Sequence, residues 1–224
     1  MIERRPERDL YAPAWAAREA AQADAYDRIG ARYDAAFPRK EGQIRSGAML
    51  CGRLPRHARV LDIGCGTGLP TARQLADAGL EVTGLDPSFV MCGLTHGNVP
   101  EAGIIQGELF DLYRLTQYYD AVVAFFSLLH LPRARIPDAL RVVRRILRPG
   151  GWLVLGMVEA DVDDQPITFL GERVRVTGYV RDELYGLIVA QGFGVEEQHV
   201  SSYAPATTLA RPEIQLFYTC RQPS

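Results

Sequence analysis

The stretch RVLDIGCGTG, Arg59 to Gly68, reads as a strand that ends in a glycine loop, and EVTGLD, Glu81 to Asp86, reads as the next strand. Val60, Leu61 and Ile63 form an apolar run that stops at Gly64, Gly66 and Gly68, three glycines at alternate positions. Glycine suits positive φ and backbone that lies against a ligand with no Cβ in the way. A buried strand entering such a loop and then a helix is the arrangement that cradles nucleotides at the carboxyl edge of a parallel sheet. Asp86, closing the second strand, stands where a carboxylate accepts hydrogen bonds from a ribose diol.

Outward from this pair the pattern alternates. Strands are expected at Gly103–Gln106, Tyr119–Phe126, Trp152–Glu159, Gly194–Tyr203 and Glu213–Cys220. Helices are expected from Ser88, an N-cap, to His96, over Ile136–Leu147 and over Arg181–Gln191. Tyr26, Ile29, Tyr33 and Phe37 recur three or four apart and predict one helical face over Trp15–Phe37, with a second helix over Gln43–Leu54. Residues 1–14 carry charges and two prolines and are expected to be mobile. Val174 and Val176 alternate with Arg173 and Arg175, a short half-exposed strand or hairpin within an irregular stretch, 160–178. Strands alternating with helices predict a doubly wound, mostly parallel sheet. The last two strands have no helix between them and must be antiparallel neighbours, because a parallel crossover needs about a dozen residues or more.

The chain has 224 residues, a net charge of -2 and 47% hydrophobic residues, which suits one α/β domain and gives no global field toward nucleic acid or an anionic membrane. Cys51, Cys65, Cys92 and Cys220 form no C-x-x-C pair, which argues against a disulfide framework or a zinc site and fits a reducing cytoplasm. The N-terminus has no apolar signal region, and no run approaches the length of a membrane span.

The loop spacing is G-x-G-x-G, not the G-x-G-x-x-G of a dinucleotide fingerprint, and Asp62 precedes it by two residues. An acid is unwelcome beside a pyrophosphate and useful beside an ammonium. With its strand and Asp62, VLDIGCGTG resembles the first motif of class I S-adenosylmethionine-dependent methyltransferases, and LRPGGWLVL (Leu147–Leu155) resembles the same family's helix-turn-strand segment. The resemblance implies a seven-stranded Rossmann-like sheet with one reversed strand near its edge. It implies a helical lid over residues 1–50, a methyltransferase domain over 51–224 and a small cap insertion near 160–180.

It also implies a site. Gly64, Cys65, Gly66 and Gly68 would cradle the methionine half of S-adenosylmethionine, or of its product S-adenosylhomocysteine, and Asp62 would meet the amino group. Asp86 takes the ribose, or forms a capping turn before Pro87. Met91 lies on the adenine face or in the core. Glu108 stands where the family usually has Asp, with Asp111 as its rival for the adenine amino group, and the Leu109 backbone N–H meets the ring. Phe125 and Phe126 end their strand beside the cofactor. Tyr33, like Tyr26, belongs to the core or reaches the cofactor from the lid. His130 is either a satisfied core residue or a general base for the acceptor. His199 is a weaker candidate, and His57 and His96 read as surface positions. Arg141, Arg144, Arg145 and Arg148 read as a solvated stripe near a helix C-terminus.

No Asp/Asn-Pro-Pro-Tyr/Phe segment follows the fourth strand, where AFFS stands. The expected acceptor is therefore an oxygen or nitrogen of a small molecule, a secondary metabolite, with no nucleic acid, membrane or metal, and with a homodimer left open. Two other readings stay open on the residues alone. One is a nicotinamide-dependent oxidoreductase, and the other is a binding protein that kept the fold without the chemistry.

Overall fold

Seven strands form one sheet in the order β3-β2-β1-β4-β5-β9-β8 in the computed structural model, which describes residues 12–114 and 119–223. They are β1 (Arg59–Ile63), β2 (Glu81–Asp86), β3 (Gly103–Gln106), β4 (Tyr119–Phe125), β5 (Leu147–Val158), β8 (Gly194–Tyr203) and β9 (Glu213–Arg221). β1 to β5 are mutually parallel, and β9 runs antiparallel to both β5 and β8. This is the doubly wound sheet with one reversed strand near its edge that the alternating pattern predicts. Strand order reverses between β1 and β4, so a crevice opens at their carboxyl ends.

Alternation along the central strands explains the two covered faces. Leu61, Ile63, Val122 and Ala124 turn to one side, where α6 (Ile136–Ile146) and α7 (Arg181–Ala190) deliver Leu140, Val143, Leu184 and Ile188. Val60, Ala121 and Val123 turn to the other, against α3 (Glu41–Cys51) and α4 (Thr71–Asp77) through Leu50, Ala72 and Leu75. Strands buried on both faces read as continuous apolar runs, as β4 does. Arg141, Arg144, Arg145 and Arg148 stay exposed, with Arg148 paired to Asp120.

Three expectations about elements change. The helix expected over Trp15–Phe37 is two, α1 (Ala12–Ile29) and α2 (Arg32–Ala36), because Gly30 takes φ +48° between them. The second helix is shorter than expected, Glu41–Cys51. The stretch 160–178 is a regular hairpin, β6 (Val162–Phe169) paired antiparallel to β7 (Glu172–Gly178). The charged segment expected to be mobile lies, over residues 1–11, outside the described residues. α3 packs against α4 and β9, while α1 lies against β7 and α5 (Phe89–Asn98), and Gln22 of α1, Tyr33 of α2 and Gln43 of α3 line the crevice.

Candidate active site

The glycine loop is stapled to the end of β2. Leu85 O accepts hydrogen bonds from Gly64 N at 2.7 Å and Cys65 N at 3.1 Å, and Asp86 Oδ2 accepts one from Gly66 N at 2.9 Å. Asp86 Oδ1 accepts from Ser88 N at 2.9 Å, and Ser88 Oγ accepts from Met91 N at 3.0 Å to cap α5. Asp86 therefore makes the Asx turn, and it also lines the cavity above the sheet. The two roles are compatible, because a carboxylate has about four acceptor positions.

The glycines divide their work. All three have positive φ, +68°, +57° and +78°. A Cβ on Gly64 would collide with the Cβ of Ser127, so the loop and the β4 outlet touch there. A Cβ on Gly66 would meet nothing within 4 Å and would project into open space. Gly68 does not line the cavity. A Cβ there would stand 3.1 Å from Thr95 Cγ2 and 3.2 Å from Val99 Cγ2, so Gly68 lets the loop pack closely on the end of α5.

Asp62, Asp86, Glu108 and Glu19 surround the cavity, with Arg18 as the cation among them. Burial pushes Asp62 up to about 7, helped by the charge of Asp86. Burial pushes Asp86 up to about 6 against the backbone N–H groups of Ser88 and Gly66, and Glu108 up to about 7, helped by Glu19. Asp62 Oδ2 is buried with no hydrogen-bond partner among the described residues, and so is Ser127 Oγ. Such orphaned acceptors fit a ligand that brings an ammonium and hydroxyl or amino donors, and the open space at Gly66 admits its backbone.

The remaining sequence candidates sort as follows. Cys65, Pro87, Met91, Leu109 and Phe125 line the cavity, Met91 as a residue 1% exposed at its floor. Asp111 does not line it; its carboxylate accepts from Glu108 N at 3.4 Å. His57 and His96 are exposed, and His199 stacks on Phe217 away from the cavity. Tyr33 lines the cavity and stacks on Phe37 at 5.1 Å.

His130 reaches the cavity from the turn after β4, held at both ring nitrogens. Its Nε2 lies 2.7 Å from Tyr26 Oη; its Nδ1 lies 2.5 Å from Gln22 Nε2 and 3.1 Å from Arg175 O. Burial drives its pKa down to about 4, so the ring is neutral near pH 7. Gln22 is itself fixed, because its Oε1 accepts from Arg175 N at 3.1 Å while its Nε2 donates to Arg175 O at 3.3 Å. Arg18 donates to His130 O at 2.8 Å and pairs with Asp164 of β6.

Gln22, Arg18 and Glu19 were not singled out from the sequence. A signal existed for two of them: Gln22 and Arg18 stand four and eight residues before Tyr26, on the same helical stripe. Among the described residues no cluster of His, Cys, Asp and Glu is placed to hold a metal ion, and no helix is long and apolar enough to cross a membrane.

A family model described as a methyltransferase domain matches residues 22–211. An uncharacterised methyltransferase of Oceanobacillus iheyensis is 32% identical over 98 residues, covering 44% of this chain and 46% of that one. A dTDP-3-amino-3,4,6-trideoxy-alpha-D-glucopyranose N,N-dimethyltransferase of Streptomyces venezuelae is 26% identical over 187 residues, covering 76% and 77%. The chain spans about half the length of the first curated relatives it matches. Among solved structures, a 1,6-didemethyltoxoflavin-N1-methyltransferase of Burkholderia thailandensis superposes with a TM-score of 0.69 at 20% identity, over 97% of this chain and 93% of that one. At that identity the likeness speaks for the fold alone.

Proposed function

Because the chain belongs to the methyltransferase-domain family, we propose that it transfers a methyl group from S-adenosylmethionine to an oxygen or nitrogen of a small molecule. One observation supports this above the others: four carboxyl groups, Glu19, Asp62, Asp86 and Glu108, face one cavity with the orphaned oxygen of Asp62 among them. A dinucleotide's pyrophosphate would meet like charge here, which disfavours the oxidoreductase reading. A nucleoside carrying an ammonium meets complementary charge.

In this reading Asp62 pairs with the amino group, the backbone at Gly64–Gly66 lies against the methionine chain, and the free acceptor positions of Asp86 take ribose hydroxyls. Glu108 and the Leu109 N–H meet the adenine edge, and Met91 lies under its face. When bound, the donor supplies an electrophilic methyl on a sulfonium whose departure leaves a neutral thioether. The chain's own work is then alignment and the exclusion of water. α1 and the β6–β7 hairpin act together as the cover, with Gln22 as their joint. The Tyr26 hydroxyl, kept protonated by burial, is placed to take the acceptor's proton only as it passes its own to Nε2 of neutral His130, which ends as the imidazolium. The dimer, a secondary-metabolite acceptor and a cytoplasmic setting are parts of this proposal that rest on the sequence alone.

Calorimetry tests it. S-adenosylhomocysteine should bind and NAD should not. Tight NAD binding with no response to either sulfur nucleoside would refute the reading.

A further inference from the structure

The donor cavity is the first of three connected spaces. Tyr26, Tyr33, Phe126 and His130 line both it and an inner chamber. Phe169, Tyr203 and Glu213 line both that chamber and an open groove of about 1150 Å³ beneath the β6–β7 hairpin. The inner chamber is walled by aromatic rings. Phe37 stacks on Tyr33 at 5.1 Å and 24° and on Tyr203 at 5.6 Å and 17°, and Phe169 stands 5.7 Å from Phe37.

At the outer end of this aromatic box stands a single carboxylate. Glu213 Oε1 accepts a hydrogen bond from Gln215 Nε2 at 2.8 Å. Among the described residues neither of its oxygens has an ion-pair partner, and burial pushes the group above its usual range. Lys40, also at the chamber wall, is engaged elsewhere, by Asp34 at 2.5 Å and by Leu69 O at 2.7 Å. The Tyr203 hydroxyl is buried beside the Arg39 backbone and out of hydrogen-bond geometry with it.

We propose that Glu213 determines acceptor specificity, selecting a small organic amine held as its ammonium against the carboxylate and among the aromatic faces of the inner chamber. The inference rests on the methyl-transfer reading of the donor cavity. A cation gains from both features, since π faces and an unpaired carboxylate are each complementary to positive charge. A neutral alcohol can donate a hydrogen bond to the carboxylate but brings no charge to it or to the rings, so it gains less; Arg39, exposed at the mouth shared with the groove, is the one wall cation among the described residues with no ion pair. An ammonium at Glu213 leaves the other end of the acceptor at the Tyr26–His130 wall, where the chamber adjoins the donor cavity. Any longer substituent has the outer groove to occupy.

The test uses the full chain saturated with S-adenosylhomocysteine, so that no chemistry intervenes. It is titrated with 2-phenylethylamine, 2-phenylethanol and 3-phenylpropionate, probes that differ in one terminal group. The amine should bind at least about tenfold more tightly than the alcohol, as expected for one charge-assisted contact. Glu213→Gln should abolish that preference, weakening the amine far more than the alcohol, while Glu213→Asp should restore part of it. Melting temperature and S-adenosylhomocysteine affinity, measured on each variant, show that fold and donor site are intact. Equal or tighter binding of the alcohol or the carboxylate, no binding of the amine, or a preference that survives Glu213→Gln would overturn the assignment. If S-adenosylhomocysteine itself does not bind, the donor-site reading fails, and the amine preference of the free chain still decides the role of Glu213.

Discussion

Replacing Asp62 with Asn should make the empty protein more stable and the donor site weaker. Asp62 is 2% exposed and has an unpaired oxygen, and burial pushes its pKa up from the ordinary 3.8 to about 7. The sign follows from proton binding. Between those two pH values the folded chain holds a proton at Asp62 that the unfolded chain has released, so stability falls as pH rises through this window. A shift from 3.8 to about 7 corresponds to roughly 4 kcal/mol, fully expressed above pH 7 and absent below about pH 4. Asn resembles the protonated acid in shape and charge and escapes this penalty. Urea denaturation at pH 8 should therefore find Asp62→Asn about 2–4 kcal/mol more stable than the parent, with the gap closing toward pH 4. In the same preparations calorimetry should find S-adenosylhomocysteine bound about 10- to 100-fold more weakly, the worth of one hydrogen bond to a charged group. A variant less stable at pH 8, or equal in affinity, refutes the reasoning.

Gly64→Ala and Gly66→Ala should part ways: the first strains a positive φ and drives a Cβ into Ser127, and should lower stability by about 2 kcal/mol or more, while the second strains its φ of +57° alone, at about 1 kcal/mol, and should cut S-adenosylhomocysteine affinity. Melting and calorimetry on both variants check this, and equal effects would undo the division of roles. His130→Gln should keep donor affinity and reduce turnover by about 10²–10⁴ if Tyr26 and His130 carry the acceptor's proton. With His130 neutral throughout, wild-type turnover should show no inflection from this group between pH 6 and 8, and unchanged turnover per folded molecule in the variant would make it a packing residue. Amide exchange across Ala12–Ile29 should slow when S-adenosylhomocysteine binds and quicken in Gln22→Ala; complete protection of that helix in the free protein would make it core instead of cover.

Most of the lining of the proposed donor cavity was legible because those residues lie close together in the chain. A strand, three glycines and two aspartates lie within twenty-eight residues, Arg59–Asp86, and positive φ at Gly64 and Gly66 is what their residue type permits. Gly68 shows the limit, since the same pattern holds a glycine needed for Thr95 and Val99, contacts thirty residues away. The acceptor chamber was not legible. Phe126 was read beside the cofactor at the end of its strand, but Phe37, Phe169, Tyr203 and Glu213 come from four other segments, and each by itself reads as ordinary core or surface. His130 was found by its position after β4. Its partners were not, because a side-chain hydrogen bond to a residue more than a hundred positions away leaves no periodic trace.

The grip of Gln22 on Arg175 carries a cost for the covering hairpin. Arg175 stands opposite Pro166 of β6 at a non-hydrogen-bonded position of the ladder, so both its backbone groups point outward, to the Gln22 amide, and the proline's missing N–H costs the pair nothing. One glutamine side chain thus occupies the place a third strand would take. An opening of α1, as the proposed cover requires, would bare an unpaired margin on the hairpin, the kind of surface that recruits strands from other molecules. Long-lived opening is then a route to self-association, and a tight joint at Gln22 protects the chain's solubility as much as its chemistry.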